Sequence, residues 1–155
     1  MNIYKESQRM FDSTFNKIII VLVVVLLGKI TYNAFQDEFT FATGISIAIL
    51  ILCILLFVVF RVNTAISQEN IHIRISPFNV YNKTIYWNEI RKVEVVTYSA
   101  LKEYGGWGYR VRKNGKAINP SGNKGLKIHF KDGSHLLVGT RKAEEMQEFL
   151  KSIKR

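Results

Sequence analysis

Two apolar stretches between residues 18 and 60 constrain the fold of this chain more than any other feature. The first covers residues 18–35 with a break at Gly28 and Lys29, and the second covers residues 41–60 without a charge. A helix needs about 18 to 20 apolar residues to cross the hydrocarbon core of a bilayer. Because only a short segment separates the two stretches, the sequence predicts a membrane α-hairpin of two transmembrane helices over residues 18–60.

The distribution of basic residues predicts how this hairpin is oriented. Lys and Arg precede the first stretch and follow the second, whereas the connection carries only Asp37 and Glu38. The positive-inside rule then places both termini in the cytoplasm of a multi-pass plasma-membrane protein, with the lipid bilayer as an integral partner. A cleaved signal peptide is the competing interpretation, but no small-x-small cleavage site follows Leu27.

The chain divides into three parts on this interpretation. Residues 1–17 form an N-terminal cytoplasmic segment, residues 18–60 the hairpin and residues 61–155 one domain with its own core. Met10, Phe11 and Phe15 are spaced for one face of a short helix on the membrane surface, and a disordered segment is the alternative.

The net charge is +10, and most of it follows residue 61. An anionic lipid surface is the nearest partner for that charge, and nucleic acid is not predicted.

The apolar pattern after Arg61 changes to the period of two that half-buried strands show. Ile71, Ile73 and Ile75 alternate with polar residues, and six further segments also have strand character. These segments are Val80 to Trp87, Ile90 to Tyr98, Trp107 to Lys113, Lys116 to Asn119, Leu126 to Lys131 and Ser134 to Val138. An amphipathic helix from about Lys142 to Ile153 follows, with Met146, Phe149, Leu150 and Ile153 on its apolar face.

Two glycine-containing turns predict how the later strands pair. Asn114-Gly115 predicts a type I′ hairpin between the fourth and fifth strands. For the sixth and seventh strands we expect a three-residue loop, residues 131–133, with Gly133 left-handed. That loop pairs Ile128 with Leu136 and gathers the apolar residues on one face, whereas a two-residue loop would not.

The segment Ile85 to Ile90 resembles the I-x-W-x-E-I element of bacterial pleckstrin-homology (PH)-like domains. Residues 104–110, with the later glycines, look like the central signature of small bacterial two-span membrane proteins that carry such a domain in the cytoplasm. The resemblance implies an all-β PH-like barrel of about seven strands with a C-terminal helix, following the membrane hairpin. The residues that carry it are Trp87, Glu89, Tyr104, Gly105, Gly106, Trp107, Gly108 and Arg110.

Residues 104–110 allow two interpretations. Three glycines within four residues permit a bulged strand entry, in which Trp107 plugs the barrel core. The alternative is a recognition surface.

A set of basic residues lies close together in the sequence around the predicted hairpin. Such a cluster could hold phosphate groups or an anionic surface, and an ordinary solvated face is the alternative. The candidate residues for an anionic surface are Arg110, Arg112, Lys113, Lys116, Lys124 and Lys127.

No pattern in the sequence points to an enzyme. His72, His129 and His135 lie singly in predicted strands, and no metal-binding or nucleophile motif is present. We therefore predict no catalytic, metal-binding or cofactor-binding residues. The predicted function is a membrane-anchored interaction module that binds a protein partner or anionic lipid headgroups. The alternative is an accessory subunit of a transport or envelope-maintenance complex.

Overall fold

The computed structural model describes residues 2–9, 14–36, 40–113 and 115–153. Within these residues the chain forms nine strands and four helices. The strands are β1 (Tyr4–Arg9), β2 (Arg61–Ile66), β3 (Asn70–Ser76), β4 (Tyr81–Tyr86), β5 (Ile90–Thr97), β6 (Gly108–Arg112), β7 (Gly115–Asn119), β8 (Lys124–Phe130) and β9 (His135–Gly139). The helices are α1 (Thr14–Gln36), α2 (Phe41–Val59), α3 (Ala100–Tyr104) and α4 (Ala143–Ile153).

The strands form two sheets that enclose the main core. The first is antiparallel with the order β1-β2-β3-β4, and the second has the order β5-β8-β9-β7-β6, in which β7 and β9 run parallel. A short 3₁₀ turn, Trp87–Glu89, joins the sheets. Its corner is fixed by a hydrogen bond from Trp87 Nε1 to the Ser67 carbonyl (3.1 Å) and by one from the Tyr86 N–H to the Glu89 carboxylate (3.0 Å).

The main core consists of inward-facing residues of both sheets and one face of α4. Ile71, Ile73 and Ile85 come from the first sheet, and Ile128 and Leu136 from the second. Burying such a side chain contributes about 1.5–3 kcal/mol, so these residues dominate the stability of the sheets. The side chains of α4 that face the core are Met146, Phe149, Leu150 and Ile153, and the predicted C-terminal helix is confirmed.

The N-terminal segment contributes a strand that the sequence did not predict. Residues Tyr4–Arg9 pair antiparallel with Arg61–Ile66, so the two helices α1 and α2 are inserted between neighbouring strands of one sheet. Met10 and Phe11, which were expected on a surface helix, lie outside the described residues. The strand escaped prediction because its inward-facing side chains are Tyr4, Glu6 and Gln8, which do not form an apolar alternation.

The predicted membrane hairpin is wrong. Helices do form near the expected positions, but across the described ranges no helix combines the length and the apolar character needed to cross a membrane. Lys29 and Asn33 interrupt the apolar run of α1. The prediction of a multi-pass plasma-membrane protein with both termini in the cytoplasm is wrong for the same reason. The connecting residues Asp37 and Glu38 lie outside the described residues.

The predicted seven-strand, all-antiparallel PH-like barrel is also wrong as a fold. All seven expected strands exist, but β1 and β2 extend the first sheet, and β9 lies between β8 and β7. Sequence reasoning pairs strands that are neighbours along the chain. In the structure β7 pairs in parallel with β9, although β8 lies between them in the sequence.

Both predicted hairpins are present. The β8–β9 pairing has the predicted register, with Ile128 opposite Leu136, and Gly133 has the expected positive φ of 85°. In the β6–β7 hairpin Arg112 pairs with Gly115, so Gly115 belongs to the strand rather than to the turn, and Asn114 lies outside the described residues.

Candidate functional site

A cleft of about 480 Å³ opens at the end of the two sheets where the β6–β7 and β8–β9 hairpins turn. Its floor is the inner face of the second sheet, the face that packs on the main core. Leu136 and Phe130 reach this floor from β9 and β8, and Tyr81 and Lys83 approach from β4 on the opposite sheet. The cleft is therefore a gap between the sheets that no core side chain fills.

The charge of the cleft is strongly unbalanced. Three lysine side chains line it, from β4, from β7 and from the β6–β7 turn, and Arg112 borders it from β6. Asp132 is the acidic residue among its lining residues. The lysines are Lys83, Lys113 and Lys116.

The Asp132 carboxylate is held in place by hydrogen bonds within the β8–β9 loop. One of its oxygens accepts hydrogen bonds from the backbone N–H (2.8 Å) and the hydroxyl (2.7 Å) of Ser134. These hydrogen bonds, with the charge of Lys83, hold the pKa of the Asp132 carboxyl below its usual range. The carboxylate thus shapes the β8–β9 loop.

Two aromatic side chains supply the apolar part of the cleft. The ammonium of Lys83 lies 5.0 Å from the centre of the Phe130 ring, a cation–π distance that favours its position over the ring. Burial and the neighbouring Tyr109 raise the pKa of Tyr81 to about 12. The Tyr81 hydroxyl therefore stays protonated at neutral pH and can donate a hydrogen bond to an anion.

The structure divides the six basic residues predicted from the sequence. Arg112, Lys113 and Lys116 line the cleft. Lys124 begins β8 at the opposite end from the cleft, about 20 Å away along the strand. Lys127 lies midway along β8, opposite Glu94 and Leu137, so its side chain is on the outer face of the second sheet.

Arg110 lies beside the cleft and also faces outwards. It pairs with Ala117 and Arg112 pairs with Gly115, which places both guanidinium groups on the outer face of the hairpin. There they lie against the turn that ends α3. A Cβ atom on Gly105 would be 2.6 Å from the Arg112 guanidinium, and one on Gly106 would be 3.1 Å from that of Arg110.

The glycines at 105, 106 and 108 allow the chain to form this turn. Gly105 ends α3 with a left-handed φ of 72°, and Gly106 and Gly108 also have positive φ values, which only glycine adopts without strain. The sequence predicted a bulged strand entry here and missed the short helix before it. Trp87 and Glu89, the other part of the family-like motif, form the corner between the sheets.

Trp107 does not plug the main core. It is half-buried and packs against a smaller apolar cluster on the outer face of the second sheet. Tyr98 and Tyr104 belong to this cluster, with ring centres 6.0 Å apart, together with Leu137 and Ala117. Trp107 therefore supports the attachment of α3 to the sheet.

Sequence reasoning missed Lys83 and Tyr81, which complete the cleft from the other sheet. They are at least 25 residues from the hairpin in the sequence. The only signal was alternation within β4, where Tyr81, Lys83 and Ile85 share one face, with a lysine between two large apolar residues.

The histidines do not form a metal site in the described part of the chain. His129 Nε2 is 3.0 Å from the Glu94 carboxylate, and the rings of His129 and His135 have centres 6.5 Å apart. Among the described residues no group of three or more His, Cys, Asp or Glu side chains is arranged to hold a metal ion.

Two comparisons with known proteins identified no relative of this chain. No family profile and no curated protein matches this chain. The resemblance to bacterial PH-like proteins therefore stays a prediction from the residues that carry it.

Proposed function

We propose that this chain is a non-enzymatic binding module whose cleft between the sheets holds an anionic ligand. The observation that carries the proposal is the convergence of Lys83, Lys113 and Lys116 around one cleft in which Asp132 is the acidic lining residue. Like charges that line one cleft repel one another, so an anion that enters the cleft reduces this repulsion.

The chemistry of the cleft suits carboxylate or phosphate groups. Lysine ammonium groups make charge-assisted hydrogen bonds to such oxygens. The protonated hydroxyl of Tyr81 adds a neutral donor, and Phe130 offers an apolar wall. Both kinds of partner predicted from the sequence, a protein and an anionic lipid headgroup, carry such groups.

Titration of the full chain with tripolyphosphate, a compact soluble polyanion, tests the proposal. We expect binding that weakens as the salt concentration rises, because the contacts are ionic. A hydrogen bond to a charged group contributes about 1.5–3 kcal/mol, so Lys83→Gln and Lys116→Gln should each weaken binding by about tenfold or more.

Lys124→Gln is the matched control, since it removes an exposed lysine outside the cleft. It should leave the dissociation constant within about twofold of the value for the native chain. Equal losses in all three variants would mean that tripolyphosphate responds to net charge, and the cleft would then not be the binding site.

A further inference from the structure

Strand β6 is a free edge of the second sheet. It pairs with β7 on one side, and no other described strand pairs with it. Its side chains are correspondingly accessible: Tyr109 is 39% and Val111 is 61% exposed. An edge of this kind presents unpaired backbone N–H and C=O groups to which another extended chain can bond.

The register of the hairpin indicates which backbone groups are unpaired. Two residues separate Arg112 from its partner Gly115, so this pair closes the hairpin and is hydrogen-bonded. Hydrogen-bonded and non-hydrogen-bonded pairs alternate along an antiparallel ladder. The backbone groups of Arg110 therefore bond to β7, and those of Tyr109 and Val111 point away from the sheet.

The edge is open at its Val111 end. At the other end the Tyr109 ring lies 5.6 Å from the Tyr81 ring, which brings β6 close to the first sheet. Val111 and Arg112, in contrast, line the cleft. An extended chain can thus reach the unpaired groups of Val111 from the cleft.

The side chains along this edge alternate in chemistry as well as in direction. Arg110 and Arg112 project on the outer face, and within the described residues neither is paired with a carboxylate. Tyr109 and Val111 project on the inner face. In a neighbouring strand, residues directly opposite each other interact, so carboxylates would meet the two arginines and apolar side chains would meet Val111.

We propose that β6 takes up an extended acidic segment of a partner protein as an additional strand, in which acidic and apolar residues alternate. This inference rests on the proposed function, and it identifies the anionic ligand of that module as a peptide. Carboxylates of the segment lie over Arg110 and Arg112, and its end lies in the cleft near Lys113 and Lys116. Backbone hydrogen bonds to Val111 hold it in register.

Two peptides of equal composition test the alternation. The first is an end-capped peptide of about eight residues in which Glu and Val alternate, and the second has all its Glu residues before all its Val residues. Fluorescence anisotropy with the full chain should show that the alternating peptide binds about tenfold more tightly. Equal affinity for the two peptides would overturn the proposal, as would tighter binding to phosphatidylglycerol vesicles than to the alternating peptide.

Val111→Pro tests the backbone contact. Proline at an edge position whose N–H faces outwards leaves the β6–β7 pairing in place but removes the donor. We expect about five- to tenfold weaker binding of the alternating peptide. Retention of full peptide affinity by a folded Val111→Pro protein would contradict strand addition.

N-methylated peptides provide the same test with the protein unchanged, in case the proline variant does not fold. Methyl groups on one set of alternate amides should abolish binding, and methyl groups on the other set should have little effect. Equal effects of the two sets would overturn the proposal.

Arginine variants test the ionic contacts. Arg110→Gln combined with Arg112→Gln should weaken binding of the alternating peptide by about tenfold or more, whereas the exposed Arg91→Gln on β5 should have little effect. An equal loss with Arg91→Gln would contradict the proposed pairing.

Tripolyphosphate binding distinguishes this inference from the proposed function. If tripolyphosphate binds in the cleft and the two peptides bind equally, only this inference fails. If it does not bind either, the proposed function fails as well.

Discussion

Tyr98 shows how a single buried residue sets a limit on the pH range of this fold. Its side chain is only 4% exposed, and it packs edge-on against Tyr104 between α3 and the second sheet. Burial raises the pKa of Tyr98 to about 12 from its ordinary value of 10.0, because the phenolate would lose its hydration. The neutral phenol is therefore the form that the fold stabilises.

We expect the folded chain to lose stability as the pH rises from 10 towards about 12. The stabilisation from a group with a raised pKa is complete below its unfolded value and disappears as the pH passes its folded value. Tyr98→Phe keeps the ring and removes the ionisable hydroxyl. Over this interval the free energy of unfolding, measured with urea, should therefore fall by about 1–3 kcal/mol less in the variant than in the native chain.

Tyr86→Phe is the control, since Tyr86 is 53% exposed. It should leave the pH dependence as in the native chain. An equal slope for the native chain and the Tyr98→Phe variant would show that ionisation of Tyr98 is not coupled to unfolding.

Among the elements, the β7–β9 pair depends on a close approach at Gly115. A side-chain methyl group at this position would collide with the His135 ring on the neighbouring parallel strand. The φ angle of Gly115 is not positive, so alanine would be strained only by the contact and not by its backbone. Glycine is thus required here for packing between strands.

Gly115→Ala should destabilise the chain by about 1–3 kcal/mol in urea unfolding, because the ring must move. In a His135→Ala background the same change should be neutral or stabilising by up to about 1 kcal/mol, since alanine reduces the freedom of the unfolded chain. Comparison of the four proteins in a double-mutant cycle measures the contact. A similar cost of Gly115→Ala in both backgrounds would contradict this explanation.

The elements that the sequence predicted are those with a local signal. Strand β3 alternates apolar and polar residues, α4 has an apolar face, and the β8–β9 register follows from the loop around Gly133. Strand β1 lacked such a signal because Glu6 and Gln8 occupy its buried face. The parallel β7–β9 pairing and the contribution of Lys83 to the cleft depend on residues distant in the sequence, and no local pattern contains that information.

For the whole molecule, β1 connects the two sheets as well as extending one of them. The Glu6 carboxylate accepts hydrogen bonds from the hydroxyls of Tyr4 (2.8 Å) and Thr140 (2.7 Å) and from the backbone N–H of Arg141 (2.9 Å). Gln8 donates a hydrogen bond to the carbonyl of Gly139 at 2.6 Å. Gly139 lies in β9, and Thr140 and Arg141 lie in the connection to α4, so β1 is joined to the last strand and to the segment before the last helix.

This arrangement predicts that the sheets need β1 but do not need the helices α1 and α2. In one variant residues 10–60 are replaced by Asn-Gly, which joins the paired residues Arg9 and Arg61 by a two-residue type I′ turn. In a second variant the chain begins at Arg61. The first variant retains the Glu6 and Gln8 contacts, whereas the second leaves the β2 edge unpaired and removes the partners of Thr140 and Gly139.

We expect the turn variant to unfold in one cooperative transition and to be more stable than the variant lacking β1 by at least about 3 kcal/mol. The loss combines several buried hydrogen bonds at about 1–3 kcal/mol each with the burial of Tyr4. Urea unfolding followed by far-UV circular dichroism measures the difference. A control turn variant with Glu6→Ala should lie between the two, because it keeps the strand pairing but loses the carboxylate. If the chain that begins at Arg61 were as stable as the turn variant, residues 61–155 would fold independently, as the sequence alone had suggested, and β1 would be an addition to a complete core.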